Sequence, residues 1–244
     1  MIYQNTYTIG LEDVGLDAFA TNKAVMAIME DIGALHSASV GFGLADVEEK
    51  KQVWVVLDWK VQIIKRPKYQ QKITATTWSR KHNAVCAYRD FELFNEQGEK
   101  VAIGTSRWVL MDIENRKPLR LKEEIIGLYQ GEAERSAFPD EMKNLSYSKD
   151  FFDSQPEYSQ KYKVLRRDID TNLHMHNLSY LDAAYEILPQ EIYNQGERNN
   201  IRISYKKEIL YGEDIIGNYK SKQQKDVVYF KDIEGNIRAV VELV

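Results

Sequence analysis

Cysteine is nearly missing from this chain: Cys86 is the only one in 244 residues. An internal disulfide and a cysteine-rich metal centre are therefore excluded, and a reducing, cytoplasmic setting suits the composition. A basic surplus is missing too. Lys and Arg number 33 against 37 Asp and Glu, which leaves a net charge of −4. Nucleic-acid binding in general needs a basic face, so that class is set aside, and an acidic partner would have to use a local basic patch. No apolar run approaches the ~18–20 residues that span a bilayer, so no membrane span is expected. The opening MIYQNTYTIG lacks a basic stretch followed by an apolar one, so no secretory signal is expected. What is present is ordinary for a globular core: 43% hydrophobic and 29% charged residues. The length suits one large domain or two small ones.

The chain reads as two copies of one unit. WKVQIIKRPKYQQKI (59–73) aligns with IRISYKKEILYGEDI (201–215), pairing Lys65 with Lys207, Arg66 with Glu208, and Tyr69 with Tyr211. LFNEQGEKVAIG (93–104) aligns with YFKDIEGNIRAVV (229–241). Both pairs alternate like half-buried strands around a turn. Each copy has one helix upstream. The first spans about Thr21 to His36, with Thr21 or Asn22 as cap and Val25, Ile28, Met29, Ile32 and Leu35 on one stripe. The second spans about Asn177 to Leu188, capped by Asn177 and stopped by Pro189. One helix followed by antiparallel strands implies a sheet wrapped around a helix, an α+β design. The expected divisions are 1–130, a polar linker at 131–158 with a short helix just before it near 122–129, and 159–244.

The copies differ just before the helix. The first has GLDAFATN; the second has DIDTNLHMHN (168–177). A polar cluster required by the fold would appear twice, and this one appears once. On an extended chain Asp170, Asn172 and His174 would share one side, ahead of a helix N-terminus with open N–H groups. That arrangement suits acyl transfer to water: a carboxylate or imidazole activates the water, an amide orients it, and N–H groups near Asn177 receive the oxyanion. The plainer alternative is an Asx-rich loop that caps a helix, which we favour for Asp168 and His176.

DIDTNLHMHN resembles the D-L-D-x-N-x-H-x-N-N segment of the acyl-ACP thioesterases of plants and bacteria, where ACP is acyl carrier protein. GFG (41–43), KRPKYQQKITATTW (65–78), YRDFEL (88–93), TSRWVLMDIENRKP (105–118) and ISYKKEI (203–209) resemble further family segments in the family's order. The resemblance implies two tandem hot-dog units, each an antiparallel sheet around one central helix. It also implies hydrolysis of fatty acyl-ACP to free fatty acid and ACP, which terminates fatty acid synthesis. Matched residue by residue, the family's catalytic groups fall on Asp170, Asn172, His174 and Glu208. One departure stands out. The cysteine that follows the glutamate in plant members is Ile209 here, so a cysteine nucleophile at that position is impossible. Cys86 reads instead as a small buried core thiol.

A thioester has a thiol leaving group of pKa about 8.5 and needs little general-acid help. Glu208 or Asp170 is the candidate base, with His174 relaying or holding the water and Asn172 orienting water or carbonyl. No cofactor and no metal is called for. The acyl slot is expected at Val25, Ile28, Met29, Ile32, Trp54 and Trp59. The partner is ACP bearing an acyl-phosphopantetheine, docked on Arg166, Arg167, Lys206 and Lys207; a homodimer is compatible with the sequence. The alternatives are an acyl-CoA thioesterase, a hot-dog enoyl-thioester hydratase, a metal site at Asp170, His174 and His176, and a silent acyl-binding protein. The hydratase segment D-x-N-P-x-H carries a proline and one more residue than Asn172–His174.

Overall fold

The computed structural model describes residues 1–244 and divides into two compact units, Met1–Met142 and Lys143–Val244. In the first unit, strand β1 (Tyr3–Thr8) precedes helix α1 (Asn22–Ser39) and the single turn α2 (Val47–Lys50). Then come β2 (Gln52–Ile63), β3 (Lys72–His82), β4 (Cys86–Phe94), β5 (Lys100–Asp112), the two-residue β6 (Lys117–Pro118) and the turn α3 (Glu123–Ile126). The strands lie in the order β1-β3-β4-β5-β2, with β6 beside β5, and every pairing is antiparallel.

Helix α1 starts where Thr21 accepts the N–H of Ala24 at 3.1 Å, satisfying one open donor of the first turn. It ends just before GFG, where Gly41 holds φ +78° and a Cβ on Gly43 would lie 2.6 Å from the Ala38 Cβ. The helix seats its apolar stripe on the sheet so closely that a Cβ on Gly104 would lie 2.6 Å from the Met29 sulfur. Successive residues of β4 point to opposite sides. Arg89 and Phe91 lie against Gly33 of α1. Asp90 and Glu92 face away and bind the Ala137 N–H and Arg135. Residues 131–142, expected in a linker, thus cover the sheet's other face. Trp78 is fully buried there, its indole N–H donating to the Arg135 carbonyl at 3.2 Å. Cys86 heads β4 and is half-buried, with its N–H accepted by Asn83; a strand end beside a turn does not make it the core thiol expected.

The second unit repeats the plan with a shorter helix. Turn α4 (Lys149–Asp153) and β7 (Tyr158–Lys163) precede α5 (Ser179–Ile187) and the turn α6 (Gln190–Tyr193). The strands β8 (Asn200–Tyr205), β9 (Asp214–Lys222), β10 (Lys225–Lys231) and β11 (Ile237–Leu243) follow. They lie in the order β8-β11-β10-β9-β7, all antiparallel. Strand β10 is buried throughout its interior because both faces are covered. Phe230 meets Tyr180 of α5, while Val227 and Tyr229 pack under Leu145, Tyr147, Phe151 and Phe152. Removing a fully buried aromatic such as Phe230 costs about 3–5 kcal/mol. Residues 143–153, also expected in the linker, are therefore a cover layer of this unit. No helix is long and apolar enough to cross a membrane.

Candidate active site

The stretch 168–177 is not extended. Asp168 and its neighbours form a 3-10 turn, in which the Asp168 carboxylate accepts the Leu165 N–H at 2.8 Å and the Tyr162 hydroxyl at 3.0 Å. Burial and the nearby Asp168 charge push the Tyr162 hydroxyl up to about 12. The chain then reverses tightly. Asp170 N–H donates to the His174 carbonyl at 2.8 Å, Leu173 N–H to the Asp170 carbonyl at 3.1 Å, and Leu173 sits at φ +65°. The Asp170 carboxylate closes the turn by accepting the N–H groups of Asn172 at 2.8 Å and His174 at 3.1 Å. A short acidic side chain competes with the strand for its own backbone donors, and here it wins. The shared face expected from alternation is therefore replaced by a hairpin tip. Asn172 is exposed on it; Asp170 and His174 are half-buried.

Asn177 does not cap α5. Helix α5 begins at Ser179, with Leu178 in the cap position and no side-chain cap of its own. His176 does the capping: its Nδ1 accepts the Leu178 N–H at 3.3 Å and its carbonyl accepts the Ser179 N–H at 2.9 Å. Two N–H groups near Asn177 that were expected to receive an oxyanion are thus engaged. The Asn177 carbonyl accepts the Tyr205 hydroxyl at 2.9 Å.

The hairpin is bound to the segment that carries Glu208. Met175 N–H donates to the Ile209 carbonyl at 2.7 Å, and His174 bridges to Leu210 in antiparallel sense. Glu208 itself is exposed, and its carbonyl accepts from the Arg238 guanidinium at 2.6 Å. Arg238 is buried and also pairs with Asp232 at 3.0 Å and Glu213 at 3.7 Å. Burial would raise the Asp232 carboxyl, but hydrogen bonds from Asn236 and Arg238 outweigh it and hold it at about 2. Tyr180, buried at the start of α5, has its hydroxyl raised chiefly by burial, and it feels the charges of Arg238, Glu208, Glu213 and Asp170. Arg238 is the group that joins them, binding the Glu208 carbonyl and the carboxylates of Asp232 and Glu213. Arg238, Glu213 and Tyr180 were not singled out from the sequence. The repeat held the signal, because they stand where the first copy has Val101, Gln71 and Val25. No three His, Cys, Asp or Glu side chains converge to hold a metal ion.

The first unit builds the same loop without these groups. Gly15 N–H donates to the Phe19 carbonyl at 2.9 Å, Thr21 N–H to the Asp13 carbonyl at 2.9 Å, and Ala20 N–H to the Pro67 carbonyl at 2.8 Å. Ala18 holds φ +62°, as Leu173 does in the second loop. Gly15 thus answers to Asp170, Asp17 to Asn172, Phe19 to His174, and Arg66 to Glu208.

Of the expected acyl-slot residues, Val25, Met29 and Ile32 are fully buried, and Ile28 and Trp59 nearly so; all five are core packing. The first unit does contain a cavity of about 180 Å³, which Trp54 lines together with Gly33, Ala34, Ser37, Phe42 and Tyr129. It runs along Glu30, Gly33, Ala34 and Ser37 of α1 and against Trp54, Ala87, Arg89 and Trp108 of the sheet. Arg89 reaches it too, bound to His36 Nδ1 at 2.8 Å. Burial lowers both groups, Arg89 to about 10 and His36 to about 3, so the imidazole is neutral beside the guanidinium. Arg166, Arg167, Lys206 and Lys207 are all exposed, and Arg166 lies over the Tyr211 ring at 5.6 Å.

Two antiparallel sheets, each wrapped on one helix, define a tandem hot-dog protein, and solved structures share that fold. A 12:0-ACP thioesterase from Umbellularia californica superposes with a TM-score of 0.86 at 22% identity, covering 99% of this chain and 96% of the other. An acyl-ACP thioesterase from Bacteroides thetaiotaomicron gives 0.85 at 17% identity, covering 100% and 97%. Residues 1–129 match the family model of the acyl-ACP thioesterase N-terminal domain, and residues 153–238 that of the C-terminal domain. The chain belongs to the acyl-ACP thioesterase family. Oleoyl-acyl carrier protein thioesterase 1, a chloroplastic protein of Arabidopsis thaliana, is 26% identical over 217 residues. The match takes in 84% of this chain but only 60% of that relative's length.

Proposed function

We propose that this chain hydrolyses the thioester of fatty acyl-ACP, releasing free fatty acid and ACP and so ending chain growth in fatty acid synthesis. The observation that carries the reading is the pair of loops with the segments bonded to them: one backbone built twice, with Asp170, Asn172 and His174 only on the second loop and Glu208 only on its segment. In this reading Glu208 is the base. Asp170 already spends one carboxylate oxygen on two backbone donors, so it sets the hairpin that carries the other two groups. His174 holds the attacking water, and Glu208 takes its proton directly or through His174. Asn172 offers its amide to the thioester carbonyl, and the positive end of α5 favours the charge that develops there. The thiolate leaves without a strong acid, because its conjugate thiol has a pKa of only about 8.5. The cavity beside α1 is the apolar space that suits an acyl chain. Arg166, Arg167, Lys206 and Lys207 supply the basic patch for an acidic carrier.

Turnover of acyl-ACP by the purified chain, read as free fatty acid and carrier thiol, tests the proposal. The Debye length falls from ~10 Å at 0.1 M salt to ~3 Å at 1 M. Added salt should therefore raise KM for acyl-ACP much more than for a short acyl thioester without the carrier. Equal salt effects on the two substrates would remove the docking patch, and equal turnover of acyl-CoA would remove the carrier preference. No hydrolysis of any thioester would sink the reading.

A further inference from the structure

Arg238 does more for Glu208 than for the sheet. Its backbone carbonyl accepts the N–H groups of both Lys206, at 2.8 Å, and Lys207, at 3.3 Å. Two consecutive donors on one acceptor mark a bulge, where the chain leaves the strand. The guanidinium then binds the carbonyl of the next residue, Glu208, at 2.6 Å. One side chain and its own peptide thus hold three consecutive residues. Asp232 at 3.0 Å and Glu213 at 3.7 Å fix the guanidinium from other sides.

The first unit shows that the fold does not need this arginine. There Val101 accepts the N–H groups of Ile64, at 2.8 Å, and Lys65, at 3.1 Å. The turn below it is closed by Asn95, which accepts the N–H groups of Gln97 and Glu99, as Asp232 accepts those of Glu234 and Asn236. The arginine of the first unit sits at the position of Glu208: Arg66 binds the Ala20 carbonyl at 2.8 Å and ties its segment to the loop itself. In the second unit the arginine stands on the adjacent strand instead, and the position of Arg66 carries a carboxylate, Glu208. We infer that Arg238 is the positioning residue of the active site, fixing the Glu208 backbone so that its carboxylate meets the His174 loop. The inference rests on the thioesterase reading above.

The test is the double variant Asp232→Asn/Arg238→Val, which installs the neutral pair of the first unit and avoids stranding one buried charge of an ion pair. It should fold, with circular dichroism and Tm close to wild type. Its kcat on acyl-ACP should fall about 100-fold, the cost of a small misplacement of a reacting group, while KM stays within about 3-fold. Arg238→Lys keeps the charge but not the fork, so its kcat should fall between the two. A folded double variant with kcat near wild type overturns the inference, as does a loss carried by KM alone. Should the double variant not fold, folded Arg238→Lys decides: a reduced kcat at unchanged KM supports the inference, and a wild-type kcat overturns it. Inactive wild-type enzyme would instead overturn the thioesterase reading, so the two failures are distinct.

Discussion

The loop 13–22 and the loop 168–177 share a backbone and differ in chemistry. Each starts with a carboxylate that closes a 3-10 turn, Asp13 on Gly10 N–H at 2.7 Å and Asp168 on Leu165 N–H at 2.8 Å. Each then reverses through a residue of positive φ, Ala18 or Leu173, and each hands the chain to the helix of its unit. Even the turn's side-chain brace is supplied differently: Asp17 accepts the Phe19 N–H at 3.0 Å, whereas Asp170 braces the second loop. The difference teaches that this backbone is a scaffold indifferent to Asp170, His174 and Glu208. What the scaffold does not need is free to serve the chemistry proposed for this site. The helices differ in the same spirit. Helix α1, 18 residues long, carries a cavity on one stripe, and α5, only 9 residues long, presents its first turn to the polar cluster.

Exchanging the loops' chemistry is the most severe test of the contrast. His174→Phe gives the second loop the residue that the first already tolerates. It should leave Tm within a few degrees while kcat/KM for acyl-ACP drops about 10³-fold, within the range of a lost acid–base group. Normal turnover in that folded variant would mean that the loop is only a scaffold in both copies.

Glu208→Gln keeps shape and removes the proton acceptor, and turnover should fall about 10²-fold. Cys86→Ser, on a half-buried strand end of the other unit, should stay within about 2-fold of wild type. A dead, well-folded Cys86→Ser enzyme would reopen a covalent route.

Ala34→Trp addresses the other side of the comparison. Ala34 lies on the exposed wall of the first unit's cavity, so a large ring there fills space without disturbing the core. Long acyl substrates should lose about 10-fold in kcat/KM, and the shortest should lose little, as one to a few displaced methylenes would predict. A uniform loss across chain lengths would detach the cavity from the acyl chain.

The smallest effect concerns His36, which burial keeps neutral down to about 3, against an ordinary value near 6.5. Unfolded chains take up this proton below pH 6.5 and the folded chain does not. The unfolded state therefore binds more protons, and stability is lost as pH falls from about 6.5 toward 3. His36→Gln keeps an acceptor for Arg89 and removes the titration. Its Tm should decline by a few degrees less than wild type between pH 6.5 and 4 in thermal melts; parallel curves would mean that His36 is not the group responsible.

Much of this was legible in the order of residues. The strand pairs 59–73 with 201–215 and 93–104 with 229–241 follow from alternation, and the backbone bonds of Val101 and Arg238 repeat that register. Helix α1 and its Thr21 cap follow from a stripe and one hydroxyl. The errors have physical causes. Asp170, Asn172 and His174 alternate as if extended, but a carboxylate two residues from an N–H prefers to bind it. His176 and not Asn177 caps α5, because an imidazole one residue earlier reaches the same donor. Val25, Met29 and Ile32 belong to the stripe, and a stripe seated on a sheet leaves no space for a ligand. Residues 131–158 look like a linker because their few apolar residues, Phe138, Leu145, Phe151 and Phe152 among them, follow neither a helical nor a strand period, yet they cover sheet faces.

Sequence by itself determined the two copies, their α+β character, and the residues Asp170, Asn172, His174 and Glu208 by which the second copy differs from the first, because period and composition are local properties of the chain. Tertiary structure alone decided that the loop is a hairpin, that the cavity lies along Glu30, Gly33, Ala34 and Ser37 of α1, and that Arg238 holds the backbone of Glu208. These depend on groups far apart along the chain reaching one place, Arg238 and Glu208 being 30 residues apart. No local pattern carries the direction of a side chain across a sheet.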